Sequence, residues 1–220
     1  MRDRFTYEIE NLKQHLLDLA MAAEHALVHA MRAIDRTDAE AARTIIAGDS
    51  EIDRREVAIE EECLKLMALY QPVAGDLRLL VTILKVNGEL ERVADLAANI
   101  ATRAIDMATL PPPHEPPLPL TQMVELAHKM LRSALDAFVC HRPDRARAIL
   151  REDDAVDALT AQCYTQANDL LLKNPAQARY TLDALTIAHA IERIGDIATN
   201  ICEDVIYLEE GQIVRHQANI

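Results

Sequence analysis

The chain has 220 residues, half of them hydrophobic but only 3% aromatic, with no Trp, five Gly and a formal charge of −13. That length can bury a real core in one large or two small domains, and a vocabulary dominated by Ala, Leu, Glu, Asp and Arg belongs to long helices rather than sheets. The acidic balance argues against nucleic acid as a direct partner, because phosphate backbones need a basic footprint; it suits a metal binder or a protein that docks on basic surfaces, and it also serves plain solubility.

Phe5, Ile9, Leu12, Leu16 and Leu19 recur at spacings of four and three, which predicts an amphipathic first helix over 3–35. A turn at Thr37-Asp38 follows, with Asp38 as N-cap of a short helix to Ala47. Gly48 is expected to end that helix, and another helix to run from Ser50 to Leu69. Gln71-Pro72 breaks the pattern, and a third long helix is predicted from Gly75 to Thr109, roughly 50 Å at 1.5 Å per residue. The segment LPPPHEPPLPL (110–120) holds six of the nine prolines, so 110–119 reads as an extended, polyproline-like linker. It separates an N-terminal part, 1–109, from a C-terminal part, 120–220.

The C-terminal part repeats the plan. A helix over 120–139 precedes His141-Arg142-Pro143 and a short helix to Leu150. The next covers 152–173, Asn174-Pro175 interrupts it, and the last runs from 176 to 209 and stops at Gly211. Antiparallel helices with short turns and one apolar stripe each pack as bundles, so the expected fold is all-α, two tandem three-helix bundles related by an internal repeat. Cys63, Cys140, Cys163 and Cys202 form no CxxC pair and no zinc spacing; each lies in an apolar helical pattern, which predicts buried, reduced thiols. MRDRFTYEIENLK has no apolar signal core, and no apolar run approaches the roughly 18–20 residues of a membrane span. A cytoplasmic protein is expected, with membrane contact made only through partners.

Residues 89–101, ELERVADLAANIA, recur as residues 190–202, AIERIGDIATNIC. Glu91, Arg92, Asp95, Asn99 and Ile100 return as Glu192, Arg193, Asp196, Asn200 and Ile201, each 101 positions on. Residues at i, i+4 and i+8 stack on one helix face, so Glu91, Asp95 and Asn99 point one way, as do Glu192, Asp196 and Asn200. Two acids stacked on a helix cost about 0.2–0.5 kcal/mol per pair; doing so twice, in register, implies something positive to hold. The second helix of each half adds its own acids: Asp49 and Asp53, then Asp153 and Asp157, 104 positions on. Any single acid pair at this spacing fits a solvated face. The same placement on matching helices of both halves favours a ligand site. Carboxylates and an amide, without His or thiolate, make an all-oxygen site suited to Mg²⁺, Mn²⁺ or iron and less strongly to Zn²⁺. Four carboxylates exceed the charge of one divalent ion, which points to a multinuclear cluster. Arg92 and Arg193 stand about 100° around the helix from these acids, placed to pair across helices or to present a partner-binding face.

ELERVADLAANIA, IERIGDIATNICEDVIYLEEG and GDSEID, in a plan that covers nearly the whole chain, resemble the PhoU phosphate-signalling family. The resemblance implies two tandem, spectrin-repeat-like three-helix bundles, each with a surface metal cluster held by E(D)xxxD motifs. On that pattern Asp49, Asp53, Glu91 and Asp95 hold one cluster, and Asp153, Asp157, Glu192 and Asp196 hold the other, with Asn99 and Asn200 as supporting ligands. It implies negative regulation of the phosphate starvation response and of phosphate uptake, by a metal-binding adaptor acting between the phosphate ABC transporter ATPase and a membrane sensor histidine kinase. A homodimer, peripheral to the inner membrane through partners, also follows from the resemblance. Ala94 stands where relatives usually carry Gly, Leu96 and Ile197 stand where His is common, and the proline linker is heavier than usual.

Glu125-Leu-Ala-His128 has the ExxH spacing of carboxylate-bridged di-iron enzymes, but no second ExxH exists, and the pair reads as a surface pair. His189, one turn before Glu192, either supports that carboxylate or is structural. Arg78 and Arg179, ahead of the two long third helices, hint at an anion or partner contact against a default of solvated charge. There is no Gly-rich phosphate loop and no GxSxG. The reading is a regulatory adaptor without catalytic residues. An accessory subunit of another anion transporter and a di-iron enzyme are the competing readings.

Overall fold

The structure, a computed structural model, describes residues 2–111 and 118–214. Helices α1 (Arg2–Arg36), α2 (Ala39–Tyr70) and α3 (Ala74–Ala108) pack on one another as the first bundle. Helices α4 (Leu120–Val139), α5 (Pro143–Leu150), α6 (Asp153–Lys173) and α7 (Ala178–Glu210) make the second, with a 3₁₀ turn at Pro175–Gln177 before α7. No strand occurs among the described residues. The expected polyproline-like course of the linker falls on residues 112–117, outside the described ones.

The apolar stripe of α1 behaves as its spacing predicts: Leu12, Leu16, Leu19 and Leu27 are fully buried. Both helix–helix corners use one device. The N–H of Asp38 donates to the Ala33 carbonyl at 2.9 Å and that of Thr37 to Ile34 at 3.1 Å; in the second bundle Arg142 donates to Ala137 at 2.9 Å and His141 to Phe138 at 3.3 Å. These are the paired bonds of a Schellman ending, which needs a left-handed residue after the helix. Thr37 (φ 54°) and His141 (φ 53°) supply it without glycine. Asp38 then caps α2, its Oδ1 accepting from the N–H of Glu40 and of Ala41.

Two expectations are corrected. The first half has no helix break at Gly48: α2 is one helix of 32 residues. A glycine in a helix interior costs about 1 kcal/mol relative to Ala, but Ala42 on one side and Ile52, Ile59, Cys63 and Leu66 on the other are all buried, and that packing outweighs the local cost. The second half does break, at Arg151-Glu152, so α5 and α6 together fill the place that α2 fills alone. Among the cysteines, Cys63, Cys163 and Cys202 are buried, but Cys140 is exposed, because it ends α4 at the corner. Burial pushes the Cys63 and Cys202 thiols up to about 12.

The bundles join along α3 and α7, which run antiparallel: Arg78 Nε donates to the Leu208 carbonyl (3.3 Å), Lys85 Nζ to Asp204 (2.8 Å) and Arg103 to Asp183 (3.3 Å). Arg179 binds Asp183 (3.1 Å) and lies 3.5 Å from Asp106. Arg78 and Arg179 therefore close the seam rather than wait for an anion. No helix among the described residues is long and apolar enough to cross a membrane.

Gly48 has nothing within 4 Å of an added Cβ. Gly48→Ala is expected to raise stability by about 0.5–1 kcal/mol in urea denaturation; a loss instead would mean that this glycine terminates a helix.

Candidate functional site

Stacking on α3 aims Glu91 and Asp95 at the acids of α2. Asp49 and Glu91 are half-buried, while Asp53 and Asp95 reach solvent. Burial, then the charges of Asp53 and Asp95, push the Asp49 carboxyl above its ordinary range. Burial also raises Glu91, with added repulsion from Asp95, Asp53, Glu56 and Asp49. All four predicted acids of the first half thus share one field. Glu56 joins them, raised by burial and by Glu60 and Asp53. Its carbonyl and its Oε1 both accept from the buried Asn87 Nδ2, at 2.9 and 3.0 Å. Sequence reading passed over Glu56, although Asp49, Asp53, Glu56 and Glu60, at spacings of four, three and four, mark one face of α2.

The second half has the same plan. Asp153 and Glu192 are half-buried, and Asp157 and Asp196 reach solvent. Asp153 opens α6, where a helix N-terminus favours negative charge. Burial, with Asp157, Asp196, Asp154 and Glu192 around it, nevertheless pushes its carboxyl from 3.8 to about 6. Burial and Asp157 raise Asp196, against the charges of Arg193 and His189. Glu192 Oε2 lies 3.0 Å from His189 Nδ1 but out of line for a hydrogen bond, which leaves a buried oxygen without a donor. A Cβ on Gly195 would meet Val156 at 3.5 Å and Asp153 Oδ1 at 3.6 Å, ordinary contacts. Alanine fits that position, in keeping with Ala94 at the matching place in α3.

Between the two groups, across the seam, lies a cleft of about 370 Å³ lined by Arg92, Asp95, Leu96, Asn99 and their repeat counterparts Arg193, Asp196, Ile197 and Asn200. Its lining is therefore nearly two-fold symmetric. Leu96 and Ile197 give this mainly polar cleft its apolar wall and add no ligand. Asn200 Nδ2 donates to Glu89 on α3 at 3.1 Å, which commits that amide nitrogen to the seam. Arg92 meets Glu89 on its own helix at 3.4 Å rather than pairing across helices. The ExxH residues part company: Glu125 is exposed, and His128 Nε2 approaches Glu24 of α1 at 3.7 Å.

A profile of the PhoU domain matches residues 16–104 and again 120–205. The chain belongs to the PhoU family. It is 36% identical over 210 residues to the phosphate-specific transport system accessory protein PhoU homolog of Aquifex aeolicus, across 96% of this chain and 95% of that one. It is 36% identical over 214 residues to the phosphate-specific transport system accessory protein PhoU of Serratia marcescens, across 97% and 87%. The crystal structure of PhoU from Pseudomonas aeruginosa matches with a TM-score of 0.91 at 31% identity, covering 94% of this chain and 100% of that one. Each PhoU repeat carries one of the carboxylate groups.

Whether these acids suit a metal rests on their chemistry. The donors are hard oxygens, no protein cation offsets the repulsion that raises Asp49, Glu91 and Asp153, and Glu192 has a buried oxygen without a donor. Among the described residues no three His, Cys, Asp or Glu are close enough together to hold an ion as they stand. Like charges part unless a cation draws them in, so the donor set fits hard cations in type and charge.

Asp153 holds its proton more tightly folded than unfolded. Its contribution to stability is therefore favourable below about pH 4 and is lost as the pH rises through about 6. In chelator, Asp153→Asn is expected to stabilise the protein at pH 7.5 by about 1 kcal/mol, less than the full shift implies because solvent screens a half-buried carboxyl. The gain should vanish by pH 4 in parallel denaturation curves, and an equal effect at both values would remove the electrostatic explanation.

Proposed function

We propose that this chain is a non-enzymatic accessory protein of a phosphate transport system, which restrains phosphate uptake and the phosphate starvation response. Its relatives' names carry the transport association. The observation that supports a metal-dependent mode of action is the pair of matching carboxylate groups, each on its own bundle and each holding acids, Asp49 and Glu91 in one and Asp153 in the other, whose repulsion no protein cation offsets. Asp49, Asp53, Glu91 and Asp95 would hold one cation cluster, and Asp153, Asp157, Glu192 and Asp196 the other, with Asn99 and Asn200 at the edge of the cleft between them. Bound Mg²⁺, Mn²⁺ or iron would supply positive charge that neutralises the acids. The helices do the rest: α2 with α3, and α6 with α7, hold the acids in place and present a rigid acidic surface. That surface docks on the transporter ATPase and on the sensor histidine kinase, at the cytoplasmic side of the membrane, and couples transport state to signalling. The ExxH histidine takes no part in either group, since His128 approaches Glu24 of α1.

Elemental analysis of the purified protein against Glu192→Gln/Asp196→Asn tests the metal. About half of the bound metal is expected to be lost, one cluster of two, and unchanged content would return these acids to a solvated face. Secreted alkaline phosphatase tests the regulation. A deletion strain grown with abundant phosphate is expected to express it constitutively and to be repressed again by this gene; activity that stays repressed in the deletion strain would remove the negative-regulator reading.

A further inference from the structure

Six histidines lie among the described residues, and four of them face a glutamate. His15 is 3.0 Å from Glu62, His128 3.7 Å from Glu24, His141 2.5 Å from Glu209 and His189 3.0 Å from Glu192. His25 and His29 differ. They face each other, with ring centroids 6.4 Å apart and ring planes at 66°. Among the described residues no ion pair or side-chain hydrogen bond engages either ring. Both are exposed on α1, so they serve neither the core nor the contacts between the bundles. Histidine is also a poorer helix former than the Ala, Leu, Glu and Arg common in this helix.

The spacing is what a chelate needs. Residues four apart share a helix face, and two imidazoles at i and i+4 hold one metal in helical zinc sites. Zn–N bonds of about 2.0–2.1 Å would draw the ring centroids to about 5 Å, a change within reach of rotation about two exposed side chains. Imidazole favours Zn²⁺, Cu²⁺ and Ni²⁺, whereas carboxylate oxygens favour Mg²⁺ and Mn²⁺. Two protein ligands leave the remaining positions of such an ion to water. The net charge of −13 adds a general attraction for cations.

We infer that His25 and His29 form a metal site of a different class from the carboxylate groups: a two-histidine chelate for a late first-row divalent cation, Zn²⁺, Cu²⁺ or Ni²⁺. It is independent of the proposed clusters, because α1 carries none of their acids.

Cu²⁺ is the probe, since its electron paramagnetic resonance spectrum splits on coordinated nitrogen and so separates imidazole from carboxylate oxygen. Tag-free, full-length protein is titrated with Cu²⁺ at pH 7.5 in excess Mg²⁺. The wild type is expected to show nitrogen splitting from the first additions. His25→Ala/His29→Ala is expected to bind Cu²⁺ on the order of 100-fold more weakly, the usual scale of closing a second contact within one molecule. A second variant, His29→Ala/Arg32→His, keeps two imidazoles but sets them seven residues apart, about 10.5 Å along the helix. It also removes a positive charge, so weaker binding there reports the lost chelate. All three substituted positions are exposed, and helical circular dichroism is expected to stay at the wild-type level. Glu192→Gln/Asp196→Asn is expected to leave the Cu²⁺ affinity unchanged, whether or not those acids hold a cluster. A wild-type spectrum without nitrogen splitting, wild-type affinity in either histidine variant, or an equal loss in Glu192→Gln/Asp196→Asn would overturn the inference.

Discussion

Two carboxylates, Asp183 and Asp204, are buried where α3 meets α7, each answered by a cation from the other helix. Parting these buried groups from their α3 cations is costly, so helix α7 has little freedom to slide along α3. The functional surfaces inherit that rigidity. Glu91 and Asp95 ride on α3, and Glu192 and Asp196 on α7, so the register of the seam sets the separation of the two carboxylate groups. It also sets the near-symmetric cleft of Arg92, Asn99, Arg193 and Asn200 between them. Helices α2 and α6 then dock on α3 and α7 through their own apolar faces and complete each group from the outside.

The carboxylate groups break the local rules that the rest of the chain keeps. Asp49, Glu91, Asp153 and Asp196 all hold protons more tightly than they would in water, which is a standing cost to the folded state at neutral pH. Folded proteins concentrate such conflicts at functional sites. On the proposed function the conflict has a use: a ligand that binds only the folded chain stabilises it, so cation loading would tighten the α2–α3 and α6–α7 contacts. An adaptor built this way would couple the stiffness of its docking surface to its metal content.

Much of this was legible in the sequence, and for local reasons. The apolar stripes of Leu12, Leu16 and Leu19 set the buried face of α1, and the prolines at 72, 143 and 175 mark helix boundaries, because proline lacks an N–H and clashes with the preceding turn. The acid spacings survived translation into three dimensions because positions four apart on a helix are neighbours whatever the fold. Reading failed where packing overruled propensity. Gly48 carries a helix-ending signal, but buried side chains on both sides hold α2 straight through it. Cys140 matches an apolar pattern, yet the chain turns there and leaves it exposed. Glu56 was overlooked because its partners, Glu91 and Asn87, lie more than thirty positions away.

The amino-acid sequence alone determined the helices, the repeat, the two sets of acids and the family, since periodicity, capping and motif spacing act over a few residues and are written in order along the chain. Only the tertiary structure decided which helix of one half meets which helix of the other, that Lys85 belongs to Asp204 and Arg103 to Asp183, and that Asn200 binds Glu89 across the seam. Those contacts join residues 80 to 119 positions apart. They depend on desolvation and register, quantities that exist only once the two bundles have closed on each other.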